Sequence, residues 1–141
     1  MNRAILLFSF FFITAFAANA QQKDTAIYGP KFQFKDGNVH DFGNVQTGTQ
    51  VTYDFEFTNV GKQPLVITNA MASCGCTTPV WPKEPVLPGK KSKITVRFNA
   101  GAPAQFSKTV FIYSNAITGA PGIYDLHIVG TVVDTVHHPK P

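Results

Sequence analysis

The chain has 141 residues, of which 44% are apolar and 14% charged, and carries a formal net charge of +4. That length suits a single domain with a real hydrophobic core, and two cysteines are too few for a disulfide framework. The longest run of like charge is Lys90-Lys91, which argues against a nucleic-acid surface, since such surfaces cluster their basic residues.

Residues 1–20 read as a secretory signal peptide. Asn2 and Arg3 form a weakly basic start, Ala4 to Ala17 is apolar apart from Ser9 and Thr14, and Ala18-Asn19-Ala20 supplies the small residues for cleavage. The apolar run is shorter than the roughly 20 residues a membrane span requires, so no span is expected after cleavage. The mature chain then holds eleven Lys and Arg against eight Asp and Glu. Export to an oxidising compartment makes a disulfide chemically possible. Residues 21–30 form a polar lead-in, read as flexible.

Lys31 to Lys35 alternates apolar and polar residues with the period of a half-buried strand. Asp36-Gly37 turns the chain, and Val39 to Gly43 forms a second short strand. Gln50 to Asn59 is the clearest strand, with Val51, Tyr53, Phe55 and Phe57 on the core face and Thr52, Asp54, Glu56 and Thr58 on the wet one. After the turn Asn59-Val60-Gly61-Lys62, Pro64 opens a strand that runs toward Met71.

The four prolines Pro79, Pro82, Pro85 and Pro88 exclude helix, and the stretch from Pro79 to Pro88 is expected as a loop or short extended pieces. Ser92 to Asn99 returns to alternation, with Ile94, Val96 and Phe98 inward. Val110-Phe111-Ile112-Tyr113 is apolar at every position, the pattern of an inner strand covered on both faces. Ile123 to Val133 closes the domain, and residues 134–141 are a polar tail. About seven strands separated by turn residues point to an all-β, antiparallel β-sandwich over residues 31–133. The antibody Cys…Trp…Cys spacing is missing, so inward apolar side chains must hold the core.

The runs His40-Asp41-Phe42-Gly43, Phe57-Thr58-Asn59-Val60-Gly61, Pro64-Leu65-Val66-Ile67, Ser73-Cys74-Gly75-Cys76-Thr77, Pro88-Gly89 and Ser114-Asn115 resemble the bacterial family called domain of unknown function 1573. The resemblance covers most of Val39 to Val133. It implies an immunoglobulin-like sandwich, similar to major sperm protein and ASH or hydin-type domains, in an exported protein. It brings no activity; those relatives are binding or assembly modules, and fold analogy is a weak warrant for function.

Cys74 and Cys76, separated by Gly75, are the only two cysteines of the sequence. In a fully extended segment the two Cα atoms would stand about 6.6 Å apart with both side chains on one face, and the Cβ atoms would be too distant to bridge. Gly75 could bend the segment by adopting positive φ. Three readings stay open: two small packed residues at a strand end, a redox-active or partner-linked thiol pair, or a Cu(I) site on Cys74 and Cys76 with a histidine added. Zinc is disfavoured because His40, His127, His137 and His138 show no zinc-finger spacing. His40 and His127 read as surface imidazoles, and His137-His138 as part of the solvated tail.

No nucleophile elbow, phosphate-binding glycine loop or His-Glu-x-x-His motif is present. His40 and Asp41 are adjacent, so in a strand they point to opposite faces. Asp54 and Glu56 share a solvated face. Trp81, among prolines, either caps the sandwich or anchors a partner. The reading is an exported, non-enzymatic binding module, located in the periplasm or secreted. It needs no cofactor, and it contacts an unknown envelope or secreted protein through Cys74, Gly75, Cys76 and Trp81 or through a sheet edge. The alternative is a thiol redox or copper-handling protein.

Overall fold

The computed structural model describes residues 28–120 and 122–134. Residues 1–20, read as a signal peptide, most of the lead-in, and the tail beyond residue 134 with the pair His137-His138 lie outside them. The elements are eight strands: β1 (Phe32–Phe34), β2 (Val39–Gln46), β3 (Gln50–Asn59), β4 (Ile67–Ala72), β5 (Thr77–Val80), β6 (Lys91–Asn99), β7 (Ala104–Ser114) and β8 (Ile123–Val133). They form a front sheet in the order β1-β3-β6-β5 and a back sheet in the order β2-β8-β7-β4. The fold is the expected immunoglobulin-like sandwich with one strand more than anticipated.

Three local differences have physical causes. β2 continues past Gly43 because the chain bulges there: the register against β8 shifts between Asp41 and Asn44, Gly43 takes φ 63°, and its N–H bonds to the Asp41 carboxylate at 2.8 Å. β2 also pairs with β8 in parallel, the one departure from antiparallel pairing between the strands. Pro79 does not keep its neighbours out of a strand, because β5 is an edge, where a missing N–H costs nothing. β4 begins at Ile67 rather than Pro64, with Leu65 held separately by a bridge to Val86.

The core lies between the sheets. Phe55, Phe57, Ile94 and Val96 from the front sheet meet Val110, Ile112, Leu126 and Ile128 from the back, each at most 2% exposed. Aromatic rings fill one flank: Phe32 meets Phe57 edge-on at 5.0 Å between centroids, and Phe34 stacks on Tyr124 at 5.0 Å. Burying so many large apolar groups is the main stabilising term. The second apolar face of β7 is not covered as expected: Phe111 and Tyr113 alternate with the buried Val110 and Ile112 but remain half-buried.

Asn59 fastens one end of the sandwich. It is wholly buried, and its carbonyl oxygen accepts from the N–H groups of Lys31 (3.2 Å) and Gly61 (3.0 Å), while its amide donates to the carbonyls of Gln63 and Val86, both at 2.8 Å. One side chain thus joins the entry to β1, the β3–β4 turn and the β5–β6 loop. Gly61 is required beside it, because a Cβ there would overlap the backbone of Gly29 and Pro30. The end of the lead-in is therefore fixed, with Gly29 and Pro30 buried.

Candidate functional site

β4 leaves the back sheet at Ala72 and β5 enters the front sheet at Thr77, so the chain crosses from one sheet to the other within Ser73 to Cys76. Ser73 is still tied to β7: its N–H donates to the Thr109 carbonyl at 2.9 Å, and the Thr109 N–H donates to its hydroxyl at 3.1 Å. Cys74 to Thr77 then forms a turn closed by the Thr77 N–H on the Cys74 carbonyl at 3.3 Å, and the Cys76 carbonyl accepts from Asn99 at 2.9 Å. The turn is anchored at both ends.

Within it Cys74 and Cys76 are joined by a disulfide, with Cα atoms 5.3 Å apart. The reading of two unlinked packed residues is corrected. The turn shortens the segment from the extended spacing into the range a disulfide accepts. Gly75 does this without positive φ, and nothing lies within 4 Å of where its Cβ would be, so neither backbone nor space demands glycine there. A Cu(I) site would need free thiolates, which the bridged pair does not offer. Among the described residues no three His, Cys, Asp or Glu side chains converge to hold a metal.

Closing a loop of three residues removes only about 1.6 kcal/mol of unfolded-chain entropy at 25 °C, against roughly 3 kcal/mol for a 15-residue loop. The bond is a weak staple. Both cysteines are half-buried, and Cys76 packs against the core. Beneath them stands Thr77, 4% exposed, whose hydroxyl lies 3.4 Å from Cys74 Sγ and 3.9 Å from Cys76 Sγ. A bridged sulfur carries no proton, so the Thr77 hydroxyl is the donor. The sequence places Thr77 in the motif around the cysteines but gives it no role, because its inward position is set by β5.

Trp81 does not join this group. It follows the far end of β5, about 16 Å from Cys76 along an extended strand. Its ring packs against the core, Lys83 Nζ sits 3.3 Å from the ring centroid, and its buried indole N–H has no partner. The capping role fits this placement.

Both described histidines are half-buried with a side-chain partner, where surface imidazoles were expected. His40 is half-buried and stacks on Tyr53 at 3.5 Å and 9° between planes; desolvation lowers its pKa, against a smaller opposing effect of Asp41. His127 is hydrogen-bonded through Nδ1 to the Thr109 hydroxyl at 3.1 Å. Asp54 and Glu56 behave as a solvated face. Asp54 meets Lys93 and Thr95, both at 2.6 Å, and these bonds lower its pKa; Glu56 meets Lys35 at 3.2 Å. A hollow of about 480 Å³ beside this face is bordered by Lys35, Glu56, Lys91 and Lys93, and another of about 430 Å³ lies over the β2 bulge. Neither contains the disulfide or Trp81.

The family described as "Protein of unknown function (DUF1573)" matches residues 32–132. No curated protein matches the sequence. Among solved structures, a protein of unknown function from Porphyromonas gingivalis W83 is similar at TM-score 0.64 and 15% identity, over 77% of this chain and 49% of that one. An ASH/PapD-like domain of human CEP192 gives 0.61 at 7% identity, over 75% and 87%. The Vibrio cholerae VesB protease gives 0.59 at 16%, over 72% of this chain and 32% of the protease. The chain thus spans about half of the first of these and a third of the last. At such identities the likeness is one of fold.

Proposed function

Because the chain belongs to the DUF1573 family, whose description assigns no activity, we propose on physical grounds that it is an exported, non-enzymatic binding module of the bacterial envelope. The observation that carries this reading is the outer face of the back sheet. Register places Met71 beside Phe111, and Tyr113 beside Ile123, with Val39 and Val129 on the same face. Met71 is 52% exposed and Val39 53%, and the other four are half-buried. The opposite side of the molecule, over β3 and β6, carries Asp54, Glu56, Lys93 and Arg97 instead. The register sets Asn69, Thr109, Asp125 and His127 among these six, and apolar side chains gathered on one outer face and not on the other support a contact surface there.

The hollow that reaches this face touches only Val129 of its six apolar residues, so a small ligand there would leave the others in water, whereas a folded protein surface could cover them. Its charges are the exposed Asp41 and Asp125. The one Lys or Arg of the four strands, Lys108, pairs with buried Ile128 and so sits on the core-facing register. A second copy would set acid against acid. The reading therefore commits to a different protein that presents apolar groups edged by Lys or Arg.

The test places a photo-crosslinking residue at position 111 or, as control, at position 97 in cells. The expected product is a single envelope protein from position 111 alone, whose purified form binds the chain and loses that binding to Phe111→Ser at unchanged Tm. Crosslinking to a second copy, or equally from position 97, refutes the assignment. Export is checked by N-terminal sequencing of the mature protein, expected to begin at Gln21.

A further inference from the structure

We propose that Cys74–Cys76 is a thiol–disulfide exchange site that accepts two electrons from a dithiol, with Thr77 as the hydrogen-bond donor to the departing sulfur. The site lies in the crossover between the sheets, three residues past Met71, and the inference does not depend on the contact-face reading.

Three observations support it. The bridge closes a loop of three residues, so it constrains little of the unfolded chain and has little to do as a staple. It is half-exposed at a crossover anchored by backbone bonds on both sides, so the bond can open while β4 and β5 stay paired. The buried Thr77 hydroxyl has the two sulfurs as its side-chain partners and reaches both. Hydrogen bonding to a developing thiolate stabilises it and speeds its departure.

The packing sets the direction of attack. Cys76 lies against the core and Cys74 does not. A thiolate from the dithiol attacks Cys74 Sγ and forms a mixed disulfide as the Cys74–Cys76 bond breaks. The bonding pair leaves on Cys76, and the Thr77 O–H, 3.4 Å from Cys74 Sγ and 3.9 Å from Cys76 Sγ in the bridged state, turns from the attacked sulfur to the departing one. The second thiol of the dithiol, as thiolate, then attacks its own sulfur in the mixed disulfide and releases Cys74. The dithiol ends as a disulfide, and its two protons end on Cys74 and Cys76.

The mature protein is incubated with dithiothreitol or with a reduced thioredoxin-type protein, quenched by alkylation and analysed by mass spectrometry. Reduction is expected to be first order in dithiol and unchanged by urea below the unfolding transition. Thr77→Val should slow it about tenfold, and Thr77→Ser should restore it to within about threefold. With excess glutathione, a monothiol, the adduct should map to Cys74, a readout that needs no variant and stands if Thr77→Val fails to fold. Two free thiols in air-oxidised protein, reduction that tracks global unfolding, an unchanged rate in folded Thr77→Val, or an adduct on Cys76 would each overturn the proposal.

Discussion

Replacing Asn59 by Ala tests whether a single side chain fastens the end of the sandwich. The substitution removes four hydrogen bonds, but their losses differ. Lys31 is half-buried and Gln63 exposed, so water can replace the lost partner at a cost of about 0.5 kcal/mol each. The Val86 carbonyl keeps its bond from the Leu65 N–H at 2.9 Å. The Gly61 N–H is buried and left with nothing, which costs the full desolvation penalty of about 1–3 kcal/mol. With the void added, the sum is about 3 kcal/mol.

In urea this should lower the midpoint by roughly 1–3 M with an unchanged slope. Asn59→Asp sharpens the experiment. It keeps an acceptor for Lys31 and Gly61 but sets a second oxygen against the Gln63 and Val86 carbonyls, which raises the folded pKa of the new carboxyl above its unfolded value. The folded state then holds the proton more tightly, so the variant should lose further stability as pH rises from about 4. A loss below 1 kcal/mol in Asn59→Ala, or an Asp variant indifferent to pH, would refute the assignment.

Two glycines make opposite predictions under the same measurement. Gly61→Ala should cost about 3 kcal/mol, since the backbone of Gly29 and Pro30 cannot yield cheaply. Gly75→Ala should stay within about 0.5 kcal/mol and still form the disulfide. His40 should titrate below its ordinary 6.5 in an NMR pH series. Because the folded state favours the neutral ring, stability should fall as pH drops through the unfolded pKa toward the folded one, and His40→Gln should flatten that decline.

The strands were largely legible because alternation is a local signal. Gln50 to Asn59 and Ile123 to Val133 match β3 and β8 at both ends. What was not legible depends on contacts between distant residues. The parallel partner of β2 lies over eighty residues away, and nothing in Val39 to Gln46 specifies its direction. The run Val110 to Tyr113 reads as doubly covered, since an apolar outer face that stays half-exposed has the same composition as one buried in the domain. At the disulfide, Cys-Gly-Cys is visible in the sequence, but the hydroxyl beneath it belongs to a threonine with no mark of its own. Asn59 reads as an ordinary turn residue until its four partners are seen together.

The parallel pairing of β2 with β8 also determines how the domain bears tension. Chain that leaves before Val39 and after Val133 departs from opposite ends of this pair, so a pull along the polypeptide slides the two strands past each other once β1 has peeled away. The rungs are then loaded together rather than opened one at a time, and rupture is governed by the unfolding rate rather than by equilibrium stability. Anchored at both ends, the sandwich resists stretching as a shear joint.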